Sequence, residues 1–146
     1  MTVVLDTNIV LDLWVFRDPR VGELDAAIAN QAVTWLATPA MREELAAVLS
    51  YEQIGARMER ANVSGDAVLQ AFDRHAKLVD PPAASALKCR DPDDQKFVDL
   101  ALARGATLLS KDRALLALRR KLRVASAFSA PPPARSGPGG PSASTA

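Results

Sequence analysis

Four carboxylates in this 146-residue chain stand where chemistry could be done. Asp6 follows the apolar run Val3-Val4-Leu5, and Asp112 follows Thr107-Leu108-Leu109-Ser110-Lys111, so two strand-type runs each carry an acid to their carboxyl end. Capping of the next helix is the competing reading of each, a role that Asp fills often. Asp94 belongs to Arg90-Asp91-Pro92-Asp93-Asp94-Gln95, which opens a helix where the dipole favours acids of any purpose. Helical phase, at roughly 100° per residue, separates them. Asp94 falls near the centre of the apolar face of Phe97, Val98, Leu100, Ala101 and Leu102, Asp93 about a quarter turn away and Asp99 almost opposite. An inward carboxylate needs a partner, because burying an unpaired charge is costly. Asp94 is therefore the candidate, with Asp91 and Asp93 read as capping or dipole acids, although the run leaves open whether one of them shares the work. On Met41 to Leu49 the same count puts Glu44 at the edge of the apolar stripe, roughly 85° from its centre, and Glu43 near the back. Pattern alone also allows Glu44 to be an ordinary boundary residue.

Four carboxylates converging on one crevice repel one another unless a cation neutralises them. All-oxygen ligation selects a hard ion, Mg²⁺ or Mn²⁺, over zinc, which calls for His or Cys neighbours. His75 and Cys89 are each the only residue of their type; His75 reads as a plain surface residue and Cys89 as an inert small one. A Ser or Cys nucleophile would lack a paired base, and no glycine-rich phosphate loop is present. A carboxylate nucleophile at Asp6 is the remaining alternative. It resembles the haloacid-dehalogenase-like phosphatases, but those have a second Asp two residues later, where this chain has Asn8.

The elements that must position these acids alternate. Strand-type runs fall at Thr2 to Leu5, Val33 to Ala37, Leu78-Val79, Thr107 to Leu109 and Leu122 to Ala125. Helix-period segments fall at Asn8 to Trp14, Val21 to Asn30, Pro39 to Leu49, Gly65 to Lys77, Asp94 to Arg104 and Arg113 to Arg120. Thr38-Pro39 and Ser64 supply helix starts and Gly105 a stop. Such alternation predicts an α/β domain with a mainly parallel sheet, whose ligand crevice lies beyond the carboxyl ends of the strands. Composition agrees: 49% hydrophobic and 24% charged residues, with 18 Lys+Arg against 17 Asp+Glu, describe an ordinary globular chain and exclude a protein that coats duplex DNA by bulk charge. No apolar run approaches the ~20 residues of a membrane span. The start lacks the basic and apolar regions of a signal peptide, and a single cysteine permits no internal disulfide, so a cytoplasmic location is expected. Residues 131–146 hold five Pro, three Gly and three Ser with Arg135 as their one charged side chain. They read as a disordered tail with nothing to bury, which leaves a domain of residues 1–130.

Together, Val4-Leu5-Asp6-Thr7-Asn8, Glu44-Leu45, Asp91-Pro92-Asp93-Asp94-Gln95-Lys96-Phe97 and Leu108-Leu109-Ser110-Lys111-Asp112 resemble the elements of PIN-domain proteins, and among them the toxins of bacterial toxin–antitoxin pairs. Each piece is short; their order and spacing are more specific than any one. The resemblance runs over residues 1–129, closing on Val124-Ala125-Ser126-Ala127-Phe128. It implies a three-layer α/β/α sandwich and an Mg²⁺- or Mn²⁺-dependent ribonuclease acting on single-stranded RNA. Its acidic set maps onto Asp6, Glu44, Asp94 and Asp112, the four that strand ends and helix phase had selected. Asn8 and Ser110 correspond to its small polar residues that orient ligands or solvent. A cognate antitoxin is implied by the resemblance alone. The competing function class is a binding module that holds a metal or RNA without cleaving it.

A phosphate chain needs cations beside the acids. Lys88, Arg90, Lys111 and Arg113 flank them, and Arg119-Arg120-Lys121 with Arg123 is the densest basic stretch; a solvated helix end is the alternative for the last group. Trp14, Val15 and Phe16 would form either an edge for a dimer or antitoxin contact, or core. Without Arg135 the domain carries 17 charges of each sign, so any grip on a polyanion must be local.

Overall fold

The computed structural model describes residues 1–126. The tail 131–146 and the closing Ala127-Phe128 lie outside the described residues. Five strands form one sheet: β1 (Thr2–Leu5), β2 (Thr34–Ala37), β3 (Ala76–Leu78), β4 (Thr107–Ser110) and β5 (Val124–Ser126). All pairings are parallel, in the spatial order β3-β2-β1-β4-β5. A parallel sheet is covered on both faces, so its central strands carry continuous apolar runs rather than alternating ones. Val3, Val4, Leu5, Leu108 and Leu109 are accordingly all buried. The chain steps outward from β1 to β2 to β3, crosses back, then steps the other way from β4 to β5. Right-handed crossovers therefore place the helices of the two halves on opposite faces, giving the three-layer α/β/α sandwich. α1 (Thr7–Trp14), α2 (Gly22–Ala29), α3 (Pro39–Leu49), α4 (Glu52–Ala61) and α5 (Gly65–His75) belong to the first half, α6 (Gln95–Arg104) and α7 (Arg113–Leu116) to the second. The order reverses between β1 and β4, the switch point at which open α/β sheets form their crevice. Register ties that point together, with Leu5 opposite Leu109 and Ser110 opposite Ser126.

Several boundaries differ from those expected. Helix α5 stops at His75 because Ala76 to Leu78 pair with Trp35 to Ala37 as the third strand. The segment after Asp112 is regular helix only to Leu116 and continues to Leu122 in turns, with Arg119 N–H donating to Leu116 O and Lys121 N–H to Leu118 O. Helix α4 was not expected; it buries only Met58 and half-buries Ile54, a stripe too thin to register as periodicity. Leu102, placed on the inward face of α6, is exposed, since it sits roughly 120° from the centre of the Phe97, Val98, Leu100 and Ala101 face. Gly105 ends α6 with φ +59°, in the left-handed region that glycine enters without strain.

Val15 is core, and Trp14 packs between Trp35, at 5.7 Å, and His75, at 6.1 Å between ring centres. Phe16 lies under the Arg57 guanidinium at 4.4 Å. The core account holds for Val15, while Trp14 and Phe16 are half-buried against that core, and His75 is half-buried against an indole rather than a plain surface residue. No helix among the described residues is long and apolar enough to cross a membrane.

Candidate active site at the sheet edge

The carboxyl ends of β1 and β4 are joined by a 3.3 Å hydrogen bond from Asp6 N–H to Leu109 O. Asp6 is buried, and its two oxygens have separate duties. Oδ1 accepts the Ile9 N–H at 3.1 Å and caps α1, while Oδ2 accepts from the Ser110 hydroxyl. Ser110 is fully buried, and its Oγ in turn accepts the Asp112 N–H at 2.9 Å. Asp112 caps α7 through Oδ1 and the Ala114 N–H, at 2.8 Å. Capping and clustering were competing readings of these acids, and here both hold. The cap occupies one oxygen and fixes the carboxylate's orientation. Ser110 is the buried hydroxyl that ties the two acids together.

Asp94 arrives from the other side. Asp91 Oδ1 accepts the Asp93 N–H at 2.9 Å and starts a 3₁₀ turn, Pro92–Asp94, which hands the chain to α6. Asp94 Oδ2 is buried with no hydrogen-bond partner. Burial first, then repulsion from Asp112, Asp91 and Asp6, pushes the Asp94 carboxyl from 3.8 up to about 7. Burial likewise raises Asp6 to about 6, against the hydrogen bonds from Ser110 and Ile9 and the attraction of Lys111, with Asp112 adding to the rise. These three aspartates share one repulsive field. Asp91 contributes to it from the surface, and the Asp93 side chain is exposed.

Glu44 has partners of its own. It is half-buried, accepts from the Thr7 hydroxyl, and pairs with the Lys96 ammonium, which also donates to Asp93 O at 2.6 Å. Thr7 and Lys96 were not singled out from sequence, although both lie inside the motifs that carry the resemblance. Asn8 is exposed, and it is its neighbour Thr7 that bonds an acid.

The flanking cations divide. Lys111 reaches Asp12, a buried acid of α1, at 3.0 Å from Oδ1 and 2.8 Å from Oδ2. The closer oxygen is held by charge rather than by a directed hydrogen bond, as it is off the hydrogen-bonding angle. Breaking a buried pair by removing one partner costs about 3 kcal/mol or more. Lys111→Met is therefore expected to lower the thermal midpoint markedly, and adding Asp12→Leu should recover most of the loss, as measured by thermal unfolding. Lys88, Arg90 and Arg113 are exposed. Arg119 to Arg123 precede β5, so they sit at the amino edge of the sheet, opposite the acids, and cannot line the crevice.

The approach to Asp94 is pinned from behind. Gln95 accepts the Cys89 N–H at 2.7 Å and donates to Leu87 O at 2.8 Å and to Asp99 Oδ1 at 2.9 Å. Asp99 also accepts from Ser85 N–H at 3.0 Å and Ser85 Oγ at 2.7 Å. Burial would raise the Asp99 carboxyl, but the bonds from Gln95 and Ser85 outweigh it and hold it below the ordinary value. Gln95→Leu strands the Cys89 N–H at roughly 1–3 kcal/mol in a half-buried setting, while Leu87 O keeps the Ser85 hydroxyl as a donor. Its expected result is faster amide exchange through residues 85–91, together with lower stability.

The donor set fits a hard divalent ion. Asp94 presents an unsatisfied buried oxygen, the neighbouring acids repel it, and carboxylates are the ligands that Mg²⁺ and Mn²⁺ prefer. Among the described residues no three acids already surround one point at ligand spacing, so binding an ion would require side-chain movement, for which Asp94, with its unbonded oxygen, is the freest of the three. His75, at the amino end of β3, lies at the opposite edge of the sheet from these acids.

Comparison with known proteins agrees with this architecture. The family model described as PIN domain matches residues 2–114. The crystal structure of VapBC2 from Rickettsia felis bound to a DNA fragment from their promoter superposes with a TM-score of 0.61 at 17% identity, over 86% of this chain and 98% of that one. The 2.2 Å resolution structure of VapBC-1 from nontypeable Haemophilus influenzae gives 0.60 at 15% identity, over 88% of this chain and 100% of that one. None of the curated proteins matches the sequence.

Proposed function

The chain belongs to the PIN-domain family, and from that premise we propose that it is an Mg²⁺- or Mn²⁺-dependent endoribonuclease of single-stranded RNA, acting in the cytoplasm as the toxin of a toxin–antitoxin pair. The observation that carries the chemical part is the trio Asp6, Asp94 and Asp112 at the switch point, two of them with strongly raised pKa values and one with an orphaned buried oxygen. A cluster that repels itself this strongly stabilises the fold poorly and binds a divalent cation well. The two solved neighbours are VapBC complexes, which supports a protein antitoxin as partner; a homodimer is the further assembly this reading expects.

In the mechanism, Asp6, Asp94 and Asp112 would hold the ion, which when bound supplies an acidified water and charge stabilisation at the scissile phosphate. Ser110 holds Asp6 Oδ2 and the Asp112 backbone in one orientation. The caps on α1 and α7 hold one oxygen of Asp6 and one of Asp112, and the Ser110 hydroxyl holds the other oxygen of Asp6. Asp91 seats the turn that carries Asp94. Arg90 and Arg113, exposed on either side, would attract the phosphate backbone without reading sequence. Asp6 is a poor nucleophile for the phosphatase alternative, since it is buried with both oxygens already accepting hydrogen bonds.

The test is a side-by-side assay of single-stranded RNA and a generic phosphomonoester with Mn²⁺ or with EDTA. Cleavage of the RNA alone, abolished by EDTA, is the expected result. Cleavage that survives EDTA, or turnover of the phosphomonoester in its place, would overturn the reading.

A further inference from the structure

Glu44 and Lys96 divide the acidic set into two electrostatic units. The three aspartates repel one another, with Lys111 attracting Asp6, whereas Glu44 is paired directly with Lys96. Lys96 is well anchored for that task. It follows Gln95, which is pinned to Leu87, Cys89 and Asp99, and its ammonium is held by Asp93 O at 2.6 Å and stands 5.0 Å from the Phe97 ring centre. Thr7, next to Asp6, fixes the other Glu44 oxygen. Both Glu44 oxygens are thus committed, one to a charge and one to a hydroxyl.

We propose that Lys96 takes the place of a second metal ion: its ammonium neutralises Glu44, so that the chain carries one divalent site, on Asp6, Asp94 and Asp112, and Glu44 is not a ligand of it. The inference rests on the metal-dependent reading above and deepens it by fixing how many ions the four acids take. An ammonium carries three N–H donors and no acceptor. Two of those of Lys96 go to Glu44 and Asp93, leaving one for a non-bridging phosphate oxygen of a bound RNA. Lys96 is therefore a positioning residue for Glu44.

Removing Lys96 should bare a carboxylate next to three others, which is the arrangement that draws in a second ion. Calorimetric titration with Mn²⁺ reads this without any activity measurement. Wild type is expected to bind one ion per chain, Lys96→Met two, and Lys96→Arg one again, because Arg keeps the charge. Glu44→Gln should retain the single site with its affinity changed by less than about fivefold, the size of effect expected of a partly exposed neighbouring charge. The Glu44→Gln arm also stands if Lys96→Met fails to fold. Two ions on wild type, one ion on a folded Lys96→Met, or loss of the site in Glu44→Gln would each overturn the inference while leaving a metal-dependent nuclease intact. Absence of Mn²⁺ binding to wild type would overturn both.

Discussion

Asp6→Asn is expected to abolish RNA cleavage while making the ion-free protein more stable. Asp6 is 4% exposed and its carboxyl is raised from 3.8 to about 6, so at pH 8 the fold holds a charge that burial disfavours. A difference of that size corresponds to at most about 3 kcal/mol. Asn is as good a helix cap as Asp, so the Ile9 N–H keeps its acceptor and the amide fills the same space, but its NH₂ then faces Ser110 Oγ and the buried Ser110 hydroxyl loses its acceptor, which offsets about 1 kcal/mol or more of the gain. A net gain of up to about 2 kcal/mol, on the order of 5 °C in thermal midpoint, follows for a domain of this size. Activity goes the other way. Asp6 sits where three acids converge at the switch point, and an ion there supplies several kcal/mol of charge stabilisation, on the order of 10³-fold in rate. Thermal unfolding in EDTA and a cleavage assay in Mn²⁺ read the two effects separately. A residue that merely capped α1 would leave both unchanged, and a purely structural one would lose both. Only a residue kept for function against the interest of the fold gives opposite signs.

Much of this site is legible in the sequence because strand ends are. Val3-Val4-Leu5 and Leu108-Leu109 are apolar on every residue, as a strand covered on both faces must be, and whatever polar residue follows such a run comes out at the carboxyl edge. Asp6 and Asp112 follow from that alone, whereas Ser110 enters through the resemblance. Asp94 follows from helix phase, although it stands at the end of a 3₁₀ turn, just before α6 and without a side-chain capping bond, rather than riding on the helix face. What phase cannot give is who pairs with whom across 37 to 99 positions of chain. Lys96 lies between Gln95 and Phe97 with nothing local to show that it meets Glu44 from a helix on the other side of the sheet. Asp12 interrupts Val10-Leu11 and Leu13, which marks it as a buried acid in need of a cation, but its partner Lys111 is supplied by the residue that follows β4. Arg119 to Arg123 illustrate the converse. Their density suggests a phosphate site, yet the direction of β5 sends them to the opposite edge from the acids.

The same electrostatics predict that the pH dependence of stability reverses when the ion is present. Without it, Asp6 at about 6 and Asp94 at about 7 both titrate above the unfolded value of 3.8, so the folded chain holds these protons more tightly than the unfolded one. Their favourable contribution is complete below about pH 4 and is lost as pH rises through 6 and 7. Asp18, drawn down to about 2 by Arg20, and Asp73, lowered by Arg42, act in the opposite sense, but their contribution is already full above 3.8 and fades only in acid. In EDTA the thermal midpoint should therefore fall steadily between pH 5 and pH 8. A divalent ion binds the deprotonated aspartates, so protons compete with it. At 100 times its dissociation constant it adds about 2.7 kcal/mol, and this gain is available at pH 8 and largely withheld at pH 5. With saturating Mn²⁺ the midpoint should stay level or rise over the same range, and the difference between the two curves should shrink in Asp6→Asn. Parallel curves in EDTA and Mn²⁺, or a midpoint in EDTA that is flat from pH 5 to pH 8, would show that these carboxylates do not form the self-repelling cluster that the site requires.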